Sequence, residues 1–358
     1  MALVALVALI IAGVIAVARA GGGSGASERA VSAVPRDATA APAAGPLDTA
    51  TPAPAAAPAS APSPAAGASA TPTPALAATP APAASASATP TASPDAGALT
   101  VPAQLGTGET IALRLRAPGA VSATVQFRGA SYPLITLGEE FGAVLGVPLE
   151  AALGPAQLTV SALDGAGGAP QRWTAAYEVV DRGREVDHVA LTDEVAAVLT
   201  PDASARESAL RVTQFARSDP APAWAGRFQV PIPGVVSSGF GVGRSYNNGP
   251  VGGFHGGLDL AADAGTTVLA PAAGRVSWVG AMPIRGLSVI VDHGAGVQSG
   301  YHHLGAAFVT VGQAVAPGQP LGLVGSSGFA TGPHLHWEVT IWGVNVDPSA
   351  WTATGFLR

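Results

Sequence analysis

The stretch from Asp37 to Ala96 has almost no side chains that could build a hydrophobic core, which limits where this chain can fold. Its only members outside Ala, Pro, Ser, Thr and Gly are Asp37, Leu47, Asp48, Leu76 and Asp95. Without large apolar groups to bury, such a segment cannot offset the conformational entropy lost on folding. We therefore predict a disordered linker over residues 21–97, with the folded part of the 358-residue chain beyond it.

An apolar run precedes this linker and indicates export. Residues 2–17 carry no charge, a length near the lower limit for a membrane span and slightly long for a signal-peptide core. Ala18-Arg19-Ala20 fits a small-x-small cleavage site, although no Lys or Arg comes before the run. Residues 1–20 are thus predicted to be either a cleaved signal peptide or a single-pass membrane anchor. Both interpretations place the rest of the chain outside the cytoplasm, in the cell envelope.

The composition excludes several classes of function. Cysteine is absent, so disulfides and thiol chemistry are excluded. The formal net charge is -6, which gives no support for a nucleic-acid partner. The sequence also contains no feature from which an obligate protein partner would be inferred.

Hydrophobic periodicity divides the remaining chain into three predicted parts. Residues 98–181 show short alternating runs, such as Thr110 to Arg116 and Val121 to Phe127, which predict a small antiparallel β-sandwich-like domain. Residues 182–226 change to a helical period and predict a short helical connector, with a capping box beginning at Ser204. Residues 227–358 are rich in Gly, Val and turn signals, so we predict a mainly β fold for the chain as a whole.

The last part concentrates the histidines. Six of the seven in the chain lie between residues 255 and 336, namely His255, His293, His302, His303, His334 and His336. Residues two or four apart on a strand point to the same face. This spacing aims His255 and Asp259 one way and pairs His334 with His336, and it turns His302 away from His303.

Imidazole and carboxylate groups without thiolate form a ligand set that suits zinc. Three protein ligands with an open fourth position mark a catalytic rather than a structural zinc site. Here four histidines and one aspartate are available, so some imidazoles remain for proton transfer. The combination predicts hydrolysis by a zinc-activated water with help from histidine, and spacing alone leaves open which of His334 and His336 binds metal.

The motifs around these residues resemble the M23, or lysostaphin/LytM-like, zinc metallopeptidases. The likeness runs from about Ser238 to Trp351 and includes Ser238-Gly239-Phe240-Gly241, His255-x-x-x-Asp259, Tyr301-x-His303-Leu304 and Thr331-Gly332-Pro333-His334-Leu335-His336-Trp337-Glu338. It implies an open-groove β-sheet domain with Zn²⁺ bound by His255, Asp259 and His336. It also implies catalytic roles for His303 and His334, and peptides of bacterial peptidoglycan as the substrate.

Several alternatives stay open at this point. A non-catalytic wall-binding module, or an activator of another wall hydrolase, would also fit the family, although such modules have lost ligands and this chain has all five positions. Glu338 either orients a ligand imidazole or is an ordinary structural residue. His302 is expected to face solvent beside the site. His293 lies near a predicted hairpin, where a hydrogen bond or turn is its usual role.

Overall fold

The computed structural model describes residues 98–357. The predictions for residues 1–20 and for the linker up to residue 97 therefore lie outside the described residues. About 48% of the described chain is strand and 10% is helix, which confirms the mainly β prediction. No helix within residues 98–357 is both long enough and apolar enough to span a bilayer.

Twenty-two strands and three helices make up the described chain. The strands before the connector are β1 Leu99–Thr100, β2 Gln104–Gly106, β3 Thr110–Leu115, β4 Ala120–Phe127, β5 Ala130–Pro133, β6 Ile135–Leu137, β7 Glu140–Gly146, β8 Gly154–Asp164 and β9 Gln171–Val180. The connector contains β10 Val186–Val189, α1 Asp193–Ala196 and α2 Pro201–Phe215. The remaining elements are β11 Val235–Ser238, β12 Gly243–Tyr246, β13 Val251–Phe254, β14 Leu258–Ala261, β15 Thr267–Leu269, β16 Gly274–Met282, β17 Gly286–Gly294, β18 Val297–Ala307, β19 Ala314–Val315, β20 Pro320–Val324, β21 His334–Ile341, β22 Val344–Val346 and α3 Pro348–Ala353.

The first nine strands form two sheets that share one core. One sheet has the order β1-β3-β7-β6 and the other β2-β9-β8-β4-β5. Alternate residues of both sheets, such as Leu113 and Val125, are fully buried in this core. The sandwich is not purely antiparallel as predicted, because β2 pairs in parallel with β9.

Strand β7 packs on both of its faces. Phe141 to Gly146 are all buried, with Leu145 in the core of the sandwich and Val144 in the core of the following domain. A Cβ added to Gly146 would lie 2.9 Å from Val346, so the two parts approach closely there. This two-sided burial explains why β7 lacks the alternation of a strand with one wet face.

The connector differs from its prediction in two respects. Its first residues form β10, which pairs in parallel with β12. Helix α2 begins one turn earlier than the predicted capping box, because Thr200 is the N-cap and accepts from the Ala203 amide, with Pro201 in the first turn. Proline at that position has a preset φ and needs no N–H partner, so it fixes the start of the helix.

A ten-stranded antiparallel sheet forms the centre of the last part. Its main path is β11-β14-β21-β18-β17-β16-β19, and β15, β20 and β22 pair at its margins. The hydrophobic core of this part includes an aromatic cluster around Trp351 of α3. The Trp351 ring centroid lies 5.3 Å from that of Trp224 and 5.0 Å from that of Phe228.

Replacing Trp351 by Ala should lower the free energy of unfolding by about 3–5 kcal/mol, because the indole is fully buried and its loss leaves a cavity. Urea denaturation followed by circular dichroism measures this change. Phe308→Ala is the control, since that ring is 54% exposed and its removal should change stability by less than about 0.5 kcal/mol. Equal losses in the two variants would contradict the assigned core.

Candidate active site

Strand register brings three titratable side chains into one row across the sheet. Asp259 of β14 lies directly opposite His336 of β21, and His336 lies directly opposite His302 of β18. Directly paired residues of neighbouring strands project from the same face of a sheet. His255 joins this row from the turn before β14, where its backbone N–H donates to the Val242 carbonyl.

Three donor atoms converge within this row. His255 Nε2 lies 3.0 Å from Asp259 Oδ1 and 2.9 Å from His336 Nδ1. The third distance, from His336 Nδ1 to Asp259 Oδ1, is 2.8 Å. Among the described residues, His255, Asp259 and His336 form a group that can hold a metal ion.

The outer nitrogens of both imidazoles are already committed. His255 Nδ1 donates to the Gly239 carbonyl at 2.7 Å, and His336 Nε2 donates to Glu338 Oε1 at 3.0 Å. In the neutral rings, the nitrogens that face the group therefore carry lone pairs. Two lone pairs and a carboxylate oxygen aimed at one point fit a cation with nitrogen and oxygen ligands, which is the donor chemistry of catalytic zinc sites.

Two further imidazoles face the same point. The ring centroids of His303 and His334 are 4.8 Å apart, and His334 Nε2 lies 3.8 Å from Asp259 Oδ1. His303 Nδ1 donates to the Ser327 carbonyl and His334 Nδ1 to the Gly332 carbonyl, at 2.7 and 2.9 Å. Each ring thus keeps its Nε2 free to accept a proton.

Burial keeps His303 neutral. Together with the neighbouring His336 and His334 rings, burial lowers the pKa of His303 to about 2. At neutral pH this imidazole is therefore uncharged, and its Nε2 carries a lone pair. Its backbone has a φ of 60°, an uncommon value for a residue with a side chain, and its N–H donates to the Arg285 carbonyl.

The five side chains line a groove of about 200 Å³. Three aromatic residues form part of its walls, namely Tyr246, Phe254 and Phe329. Tyr246 and Phe329 meet edge to face with centroids 5.5 Å apart. Tyr246 therefore forms part of the wall of the groove that contains the donor group.

Charged side chains next to Asp259 hold the donor row in place. Arg244 donates to Asp259 Oδ2 at 2.8 Å and to Asp187 Oδ2 at 3.0 Å. Burial raises the pKa of Asp259, but the adjacent His255 and His336 imidazoles outweigh burial and hold it well below its ordinary value. Asp259 is thus ionised and oriented, as a metal-binding carboxylate must be.

Glu338 is fully buried and supports His336. Burial raises its pKa, but the Arg211 and Arg285 guanidinium groups outweigh burial and hold the pKa of Glu338 well below its ordinary value. Arg285 Nε donates to the same oxygen, Oε1, at 2.7 Å. Of the two roles left open for Glu338, the structure supports the one in which it orients the His336 imidazole.

The model of peptidase family M23 matches residues 253–348, which include all five of these side chains. The structure of an M23 peptidase candidate from Pseudomonas aeruginosa is 29% identical, covering 69% of this chain and 94% of that one with a TM-score of 0.51.

The chain belongs to peptidase family M23.

Two curated relatives give the family context. The DD-carboxypeptidase/endopeptidase Mpg of Neisseria meningitidis is 43% identical over 94 residues, which are 26% of this chain and 22% of that protein. The murein hydrolase activator EnvC of Escherichia coli is 42% identical over 95 residues, which are 26% of this chain and 23% of that protein. The match therefore spans less than a quarter of each relative.

The position of His302 in this M23 chain corrects the prediction of a solvent-facing residue. The His302 side chain is fully buried, its Nδ1 lies 2.8 Å from Ser288 Oγ, and its ring lies 5.6 Å from that of His336. Strict alternation fails because His303 has a positive φ, so both histidines come to the side of His336. His293, in contrast, is buried away from the M23 site, between the Ala273 carbonyl and Ser299 Oγ.

Sequence reasoning missed the charged residues behind the M23 site. Arg285 lies in the β16–β17 turn, whereas Glu207 and Arg211 lie on the connector helix α2. Arg211 and Glu338 are 127 positions apart, so no local spacing could have linked them. Isolated charges in a helical segment are usually solvated, and only their burial in the structure distinguishes these.

Replacing Gly257 by Ala should lower the free energy of unfolding by about 1–3 kcal/mol through overpacking. An added Cβ would lie 2.5 Å from the Trp337 carbonyl oxygen and about 3.0 Å from the His336 ring. Gly253→Ala is the matched control, because a Cβ there meets nothing within 4 Å. Thermal or urea unfolding of both variants checks this expectation, and an unchanged Gly257→Ala protein would argue against the close packing of β14 on β21.

Proposed function

We propose that this protein is a zinc endopeptidase that hydrolyses peptide bonds in bacterial peptidoglycan, in a stem peptide or a cross-bridge. The observation that carries the proposal is the convergence of His255 Nε2, Asp259 Oδ1 and His336 Nδ1 on one point. M23 peptidases depend on zinc, and relatives of this chain include peptidoglycan DD-endopeptidases such as ShyA of Vibrio cholerae.

In the proposed mechanism, His255, Asp259 and His336 would hold Zn²⁺, which would supply Lewis-acid activation of a water and of the scissile carbonyl. His303 is the base that accepts the proton of the attacking water at its free Nε2. His334, whose Nε2 also faces the site, donates a hydrogen bond to the oxyanion once it is protonated or in its other tautomer. The aromatic walls of the groove hold the peptide extended across the sheet.

An enzyme that hydrolyses peptidoglycan acts outside the cytoplasm, so the proposal includes export of this protein. Under this proposal the upstream β-sandwich and connector, within residues 98–226, precede a peptidase part at residues 227–358. The residues before 98 serve as the export signal or anchor and the tether.

The similarity to EnvC supports a second candidate, a non-catalytic activator of another wall hydrolase. The two functions differ in their need for the donor group. An activator needs neither metal ligands nor a free base, whereas this chain carries a complete donor set with its supporting charges. Hydrolysis is therefore the function that the geometry favours.

Metal removal tests the zinc assignment. Purified protein starting at residue 98 should contain about one zinc per chain and should release new peptide ends from intact peptidoglycan. A chelator should abolish this release, and added Zn²⁺ should restore it. Asp259→Ala should lose both zinc and activity, because it removes one of only three protein ligands. Zinc binding without release from any wall source, but with stimulation of a separate wall hydrolase, would favour the activator.

Substitution of the two remaining imidazoles separates chemistry from metal binding. His303→Ala and His334→Ala should each lower kcat by about 10²–10⁴-fold, the usual contribution of a positioned acid or base, while keeping zinc. Muropeptide release measured by mass spectrometry gives the rate, and elemental analysis gives the zinc content. His188→Ala is the control, since that exposed histidine lies on β10 outside the site and should leave both unchanged. Full activity of both site variants would contradict the assigned roles.

A further inference from the structure

Helix α2 of the connector directs two charged side chains toward the base of the site. Glu207 and Arg211 are four residues apart, so they project from the same side of the helix. Glu207 is 2% exposed, and the Arg211 side chain is 14% exposed. Phe215, one turn further on, packs with Met282 and Ile290 and anchors the helix against the sheet.

The Arg211 guanidinium reaches two different metal-binding segments. Its Nη1 donates to Glu338 Oε2 at 2.8 Å, and Glu338 in turn accepts from His336. Its Nη2 donates to Asn345 Oδ1 at 3.1 Å, and Asn345 Nδ2 donates to the Gly256 carbonyl at 2.7 Å. Gly256 directly follows His255, so one planar side chain connects the surroundings of two proposed zinc ligands.

Glu207 holds the turn that contacts His303. Its Oε2 accepts from the backbone amides of Ile284 and Arg285, at 2.6 and 3.0 Å, and its Oε1 pairs with the Arg285 guanidinium. The Arg285 carbonyl accepts from the backbone N–H of His303 at 2.9 Å. Glu207 is thus linked to the proposed base through a single residue.

The two carboxylates and two guanidinium groups of this network have no net charge. They belong to Glu207, Glu338, Arg211 and Arg285. Buried ion networks of this kind are weak evidence for stability, because apolar residues of similar volume often replace them without loss. What the network does fix is geometry, since its hydrogen bonds lead to His336, to the residue after His255 and to His303. The exposed pair Asp202–Arg206 on the same helix leads to none of them.

We propose that Arg211 and Glu207 are positioning residues of the active site, so that zinc affinity and the placement of His303 depend on the docked connector helix. The inference rests on the proposed zinc site and adds to it a requirement outside the residues that the family model matches. The connector is then a working part of the catalytic centre and not only a spacer.

The test measures zinc affinity by competition with a chromogenic chelator in the full chain and in Arg211→Met, Arg211→Lys and Asn345→Ala. Arg211→Met should bind zinc about tenfold more weakly, the lower end for groups that orient a metal ligand. Arg211→Lys restores the charge but not the planar fork, so it should recover only part of this loss. At saturating zinc, Arg211→Met should also show a lower kcat with an unchanged KM. Arg206→Met is the matched control on the same helix and should behave as wild type.

Near-ultraviolet circular dichroism establishes that each variant is folded. A folded Arg211→Met protein with wild-type zinc affinity and kcat would overturn the proposal. If Arg211→Met does not fold, Asn345→Ala decides, because it removes one arm of the fork and leaves the ion network intact: weaker zinc binding supports the proposal and unchanged binding overturns it. A wild-type chain that binds no zinc would instead refute the proposed function and this inference with it.

Discussion

The antiparallel register of β14, β21 and β18 is the constraint on which the site depends. It places Asp259 opposite His336 and His336 opposite His302, so side chains from three segments far apart in sequence lie side by side on one face of the sheet. Side chains alternate between the two faces of a strand, so a shift of one residue in either pair would move its members to opposite faces. The hydrophobic core under Leu335, Trp337 and Val339 prevents such a shift, because those residues would then face the groove.

The buried carboxylates of the site are stabilised by neighbouring positive charges. Asp259 and Glu338 are ionised carboxylates inside the protein, which would be costly without partners. Each is paired with arginine, Asp259 with Arg244 and Glu338 with Arg211 and Arg285. Arg244 donates to Asp259 Oδ2 and Arg211 donates to Glu338 Oε2. Arg285 donates to Glu338 Oε1, which also accepts from His336. One Asp259 oxygen and two imidazole nitrogens are therefore left to face the groove.

The upstream part of the chain and the peptidase fold are physically joined. Strand β7 is buried on both faces, and β10 pairs with β12. Helix α2 contributes Arg211, which donates to Glu338 behind the donor row. The Pseudomonas aeruginosa structure covers 69% of this chain, more than the residues 253–348 of the family model, so the likeness extends upstream of the M23 motif. Residues 227–358 on their own would lack these contacts.

The sequence by itself determined the mainly β class, because strand periodicity is a local property, and the motifs that resemble the M23 family pointed to the five residues that meet in the site. Only the tertiary structure decided the rest. His302 is buried because the register of β18 with β21 pairs it directly with His336, and the positive φ at His303 brings His303 to the same side. Neither the register nor a single backbone angle leaves a trace in a residue pattern. Arg211, Glu207 and Arg285 support the site because folding brings α2 against the sheet. Charged residues that pair across 53 to 127 positions are indistinguishable, in sequence, from charges that face solvent.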